Sequence, residues 1–175
     1  LVVNELQLRY SAKMPRRMRS YAALAEEKYG LSTYPVLINI LPTNNEIIPT
    51  FFASNVAGLR AIQDYRVINL WEVDVNIVFQ QSLPSLLPFV PILKGGDDES
   101  TIREALQILR GNEDLNQLET VLAFFATFVL ESALVQEIMR WDMAVLRESP
   151  WYQEILREGE ARGEARGEAR GEARG

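Results

Sequence analysis

The 175-residue chain contains no cysteine and no histidine. Without cysteine no disulfide can form, which suits a reducing cytoplasm. Without either residue, structural zinc has none of its usual closed ligand sets. Serine–histidine–aspartate and cysteine–histidine nucleophile systems are excluded within the chain. The commonest general base is gone as well. Any chemistry must run on carboxylates, lysine, tyrosine, amides or a hard metal, and oxygen ligands favour Mg²⁺, Mn²⁺ or Ca²⁺. Long apolar runs are missing too. The longest, Val121 to Leu130, is bracketed by Glu119 and Glu131 and is too short to span a bilayer. The expected setting is therefore cytoplasmic, with no membrane partner.

What is present is ordinary for a globular chain: 47% apolar and 24% charged residues, enough for one sizeable core. The net charge of −6 is unevenly spread. Residues 1–30 carry six basic side chains (Arg9, Lys13, Arg16, Arg17, Arg19, Lys28) against Glu5, Glu26 and Glu27, so this stretch is +3 and the remainder −9. A basic patch beside Glu5 can meet phosphates, or it can be a solvated helix face.

The opening "LVVNELQLRY" alternates from Val3 to Leu8. Period two puts Val3, Glu5 and Gln7 on one face, and Asn4, Leu6 and Leu8 on the other. Its apolar start predicts a mostly buried strand, in which Glu5 and Gln7 each need a partner. "KMPRRMRSYAALAEEKYG" reads as a helix with Pro15 in its first turn and Gly30 as its stop. Met18, Tyr21, Ala22, Ala25 and Tyr29 form the stripe; Arg16 and Arg19 fall off it. Arg17 and Tyr21, four apart, share one edge. The nearly continuous apolar run Val36 to Leu41 predicts a central strand covered on both faces. Strand, helix and strand make a βαβ unit with parallel strands, adjacent or one apart.

Residues 44–63 read as mixed, and Arg66 to Val73 as a third strand. "LPSLLPFVPILKGGDD" predicts an extended connector over 83–97. It divides an α/β part, 1–82, from a helical part, 98–157. There Asp98 or Ser100 caps a helix through Arg110, stopped by Gly111. Apolar stripes follow at Leu115, Leu118, Leu122, Phe125 and Val129, and at Val135, Ile138, Met139, Met143 and Leu146. The cluster Phe124, Phe125 and Phe128 reads as packing. The tail, 158–175, repeats Glu-Ala-Arg-Gly. A helix there stacks like charges four apart, and each glycine costs roughly 1 kcal/mol, so the repeat predicts fraying unless helices associate. The class is α/β (α+β): a mixed sheet, a helical subdomain and a repeat tail.

Two readings of Glu5 follow from these residues. In one, it pairs with Arg17 as a structural ion pair. In the other, Glu5 binds Mg²⁺ or Mn²⁺ and Gln7 orients a water, with a second carboxylate expected.

The stretch "NELQLRYSAKMPRRMRSYAALAEEKYGLSTYPVLINILP" resembles the bacterial recombination-promoting nuclease/putative transposase family, notably its cyanobacterial members, within the PD-(D/E)XK nuclease superfamily. "YRVINLWEVD", "SLLPFVPIL", "MAVLRESPWYQ" and the Gly-Glu-Arg-rich tail match in order. The resemblance implies a partial restriction-endonuclease-like core and Mg²⁺-assisted hydrolysis of DNA phosphodiesters. It places Glu5 as metal ligand, and Gln7 where other members carry a lysine. A lysine polarises the attacking water; glutamine can only orient it. Arg17 and Tyr21 fall on the family's R-M-x-x-Y, bracing the site or touching a phosphate, with Arg16 and Arg19 beside them. The resemblance also implies a longer parent, whose catalytic Asp precedes Leu1, and a fragment inactive on its own. The alternatives are a catalytically silent module that binds DNA or a protein, and a homo-oligomer assembled through the helical part or tail.

Overall fold

Alternation at the start of the chain produces β1, Val2–Gln7. The computed structural model describes residues 1–43 and 47–139, and there the chain is a mixed α/β protein with two small sheets and no barrel. Contacts divide it into two units: residues 1–83 with 92–98, and residues 84–91 with the helices from 99 onward.

In the first unit, β1 leads into helix α1, Met14–Tyr29. Pro15 sits in its first turn, where the missing N–H costs nothing. Gly30 ends it in the left-handed region, φ 64°. The Glu26 carboxylate accepts the Thr33 amide and hydroxyl, both at 3.0 Å, and so ties the end of α1 to the following turn. The Thr33 amide, then its hydroxyl, holds the Glu26 carboxyl below its ordinary range. β2, Tyr34–Asn39, then pairs directly with β1, in parallel. On its other side it pairs in parallel with β5, Arg66–Asn69. The sheet order β1-β2-β5 makes the apolar run the central strand, as its composition requires. Met14 and Met18 of α1 pack on Leu37 and Tyr65 to form the core, flanked by Tyr10, Ile48 and Val67.

Two expectations need correction here. β1 is not mostly buried: Val2, Asn4 and Leu6 are exposed, and only the Val3, Glu5 and Gln7 face is half-buried. β1 is an edge strand, and α1 covers the face that carries Leu37, not the other. The third strand stops at Asn69, because Leu70–Glu72 tightens into a 3₁₀ turn. Residues 51–64, mixed in sequence, form an antiparallel hairpin of β3, Phe51–Val56, and β4, Leu59–Asp64. Its turn residues Ala57 and Gly58 both have positive φ, 51° and 84°, as a type I′ turn requires. The Asn55 side-chain oxygen accepts the Gly58 amide at 3.1 Å. α1 packs against this hairpin. A short helix α2, Asn76–Gln80, follows, and the Asp74–Lys94 bridge returns residues 92–98 to this unit.

Pro84–Ile92 is a 3₁₀ segment rather than an extended connector. Proline fixes φ near the value that 3₁₀ turns use, and Leu87, Pro88, Val90 and Pro91 are buried, not solvated. In the second unit α3, Glu99–Arg110, buries Ile102, Ala105, Leu106 and Leu109 at helical spacing. The stripe from Leu115 breaks into a 3₁₀ turn, Asn116–Leu118, and α4, Glu119–Ala126. α5 is Ser132–Met139. Phe124, Phe125 and Phe128 pack on one another and Phe89 joins them, with centroids 5.1 Å from Phe89 to Phe125. Arg110 joins three elements, through Glu119 and the Met139 carbonyl. Met143, Leu146, the "MAVLRESPWYQ" stretch and the repeat tail lie outside the described residues.

Candidate functional site

The period-two pattern of β1 aims Glu5 and Gln7 at the α1 side of the sheet, where the helix brings Arg17 and Tyr21. Glu5 Oε1 receives two donors: Gln7 Nε2 at 2.6 Å and Arg17 Nη2 at 2.8 Å. The Glu5 side chain is 17% exposed and that of Arg17 44%, so the pair sits at the rim of the sheet rather than in its core. Arg17 also donates Nη2 and Nε to the Tyr21 hydroxyl, at 2.7 and 3.1 Å. That hydrogen bond raises the Arg17 pKa above its ordinary value; desolvation opposes it, and the Glu5 charge adds a smaller rise. The i,i+4 edge expected for Arg17 and Tyr21 is thus a direct contact.

Both donors converge on one oxygen. Glu5 Oε2 has no hydrogen bond among the described residues. Arg16 and Arg19 do not reach Glu5. Arg16 is exposed, and the Arg19 guanidinium lies over the Phe52 ring at 5.1 Å.

Parallel register extends the polar face across the sheet: Gln7 lies opposite Asn39, and Asn39 opposite Asn69. Asn39 is fully buried. Asn39 Nδ2 donates to Asn69 Oδ1 at 2.9 Å, and Asn69 Nδ2 donates to Glu72 Oε2 at 3.2 Å. The direction of this chain is set at its end. A carboxylate only accepts, so Asn69 must offer Glu72 its NH₂ and Asn39 its oxygen. Asn39 must then donate, which leaves Asn39 Oδ1 a buried acceptor with no partner. An orphan of this kind costs about 1–3 kcal/mol. Sequence reasoning passed over Asn39 and Asn69. Their signal was present as one amide inside each apolar run, "VLINIL" and "RVINLW". A lone buried amide demands a polar neighbour.

A divalent cation at Glu5 has one protein carboxylate oxygen open to it. Mg²⁺ sites use one or two carboxylates and take their other ligands from water and phosphate, so the donor set meets the lower count. Among the described residues no three acidic side chains converge. No helix there is long and apolar enough to cross a membrane.

The fold and site define a mixed α/β protein with a carboxylate–amide pair at the edge of a parallel sheet, facing a basic helix. No protein-family model matches the chain, and searches of the curated proteins and the solved structures find no match.

Proposed function

We propose that the chain belongs to a metal-dependent DNA endonuclease of the recombination-promoting nuclease/transposase kind, with its sheet part of a restriction-endonuclease-like core. The observation that carries the reading is Glu5. It is half-buried, braced on one oxygen by Gln7 and Arg17, open at the other, and set beside a helix start rich in cations. Glu5 holds the ion, Gln7 positions a water, and Arg17 with Tyr21 braces the carboxylate or takes a phosphate. Mg²⁺ or Mn²⁺ bound there supplies an activated water and offsets charge on the phosphate.

A second reading has its own support. Glu5 is already ion-paired with Arg17, and no group of three acidic side chains gathers among the described residues. Such a site suits a silent, nuclease-like module that binds DNA without cutting it.

Nicking of supercoiled plasmid in Mg²⁺, by the longer parent that the resemblance implies and by its Glu5→Gln variant, separates the two. Nicking lost in the variant, with the circular dichroism spectrum retained, supports the endonuclease. Equal nicking by both proteins removes Glu5 from the site. Salt-sensitive DNA binding without nicking by either selects the second reading.

A further inference from the structure

Helix α1 breaks a local rule at its start. Lys13 occupies the N-cap position without a side-chain cap, and no acidic residue stands in the first turn. Lys13, Arg16, Arg17 and Arg19 crowd the end where the helix dipole is positive and cations are disfavoured. Among the described residues Lys13 and Arg16 have no acidic partner. Violations of local preference with no internal compensation concentrate at functional sites.

Three of these cations, Lys13, Arg16 and Arg17, line a groove of about 570 Å³. Lys13, Arg16, Arg17 and Ser20 recur at i, i+3, i+4 and i+7, so one face of α1 forms its floor. Pro15 adds an apolar patch, and Phe52 of β3 adds an aromatic ring, held by the Arg19 guanidinium. Arg17, which also lines it, reaches Glu5. Cations and an aromatic ring together match a ligand that alternates phosphates with planar rings.

We infer that this groove holds a segment of single-stranded DNA, with phosphates on Lys13 and Arg16 and one base stacked on Phe52, leading toward Glu5. The inference deepens the reading of Glu5 and rests on it for the identity of the anion. Unpaired DNA is specified by the ring. In a duplex the base faces are stacked on each other, and only an unpaired base has a face to offer an aromatic side chain.

The test is fluorescence anisotropy of the chain with labelled oligo(dT) of about 12 nucleotides, and with a duplex of equal length, both in EDTA so that cleavage plays no part. Wild type is expected to bind oligo(dT) more tightly than the duplex at the same salt. Phe52→Leu keeps apolar bulk but loses the ring; it should weaken oligo(dT) binding by at least about fivefold and leave duplex binding unchanged. Phe52→Tyr keeps the ring and should bind as wild type, which holds the test open if the leucine variant folds poorly. Lys13→Gln with Arg16→Gln should flatten the salt slope for oligo(dT) by about 1.4. Arg60→Gln, on exposed β4, should change neither.

Equal or tighter duplex binding by wild type overturns the inference. So does oligo(dT) binding indifferent to Phe52→Leu in a folded protein, or no oligo(dT) binding at all. Absence of plasmid nicking alongside ring-dependent oligo(dT) binding removes the endonuclease reading but not the groove. Glu5-dependent nicking alongside ring-indifferent binding removes the groove alone.

Discussion

Replacing Asn39 by Asp changes one buried group for its near-isostere and reverses what that group can do. Asn39 is fully buried and donates to Asn69, which donates to Glu72. At neutral pH a carboxylate at position 39 donates nothing and sets a charge against Asn69 Oδ1. Asn69 could flip to donate to it, but would then turn its oxygen on Glu72. Both ends of the chain would demand a donor from one amide. A buried charge left uncompensated costs about 3–5 kcal/mol. The same figure follows by linkage. Burial that lifts the carboxyl about 3 units above its unfolded pKa of about 3.9 costs about 4 kcal/mol at neutral pH, at about 1.4 kcal/mol per unit. The sign is that of a raised acid: the native state holds the proton more tightly, so the variant loses stability as pH rises from about 4 to about 7. Below that window the protonated carboxyl donates to Asn69 and the deficit nearly closes. Urea unfolding followed by tryptophan fluorescence, for Asn39→Asp against wild type at several pH values, reads this directly. Adding Glu72→Gln supplies a donor at the far end, lets the chain run backwards, and should recover about 1–2 kcal/mol at neutral pH. A cost below about 1 kcal/mol at neutral pH, or one independent of pH, would refute the buried, one-directional chain.

Tyr65 gives a second pH window. Its hydroxyl is buried without a partner, and desolvation first, then Tyr10, pushes its pKa up from 10.0 to about 12. The folded state keeps that proton longer, so stability falls between about pH 10 and about pH 12, by up to roughly 3 kcal/mol; Tyr65→Phe should show a shallower alkaline loss in thermal melts. Arg17→Met frees Glu5 of its ion pair and removes a positive charge beside it. Mn²⁺ affinity, read by electron paramagnetic resonance, should rise roughly tenfold, as expected for relief of about 1–2 kcal/mol of cation repulsion in a largely aqueous setting; no rise would argue that the ion does not sit at Glu5. Ala57 holds φ 51° in the β3–β4 turn, a conformation asparagine adopts more readily. Ala57→Asn should stabilise the fold by about 0.5–1 kcal/mol in urea titrations, and a loss of stability would count against the positive-φ turn.

Much of the first unit was legible because its signals are local. Alternation in "VVNELQ" marked β1 and the face of Glu5, Pro15 and Gly30 bracketed α1, and the apolar run at Val36 marked the central strand. The spacing of Arg17 and Tyr21 on one turn foretold their contact. The hairpin at 51–64 was not legible. Its strands expose Phe51, Val56, Leu59 and Ile62, so no clean inside–outside alternation survives, and Ala-Gly is a weak turn signal. Nor was the shape of Pro84–Ile92, where proline permits both extended and 3₁₀ backbone and burial decides between them.

The sequence by itself determined the chemical menu and the local frame. Lacking cysteine and histidine, the chain can offer a metal only oxygen ligands, and its periodicities oblige a strand–helix–strand unit with Glu5, Gln7, Arg17 and Tyr21 at set positions along it. Tertiary structure decided which of these meet. It joined Arg17 to Glu5 and left Oε2 open, ran the amide chain from Asn39 to Glu72 across two strands, and brought Phe52 to Arg19 and the basic face of α1. The reason is physical. Periodicity dictates which way a side chain points within its own element, whereas contacts between distant residues depend on strand order and helix docking, which the burial of Met14, Met18, Leu37 and Tyr65 in one core selects.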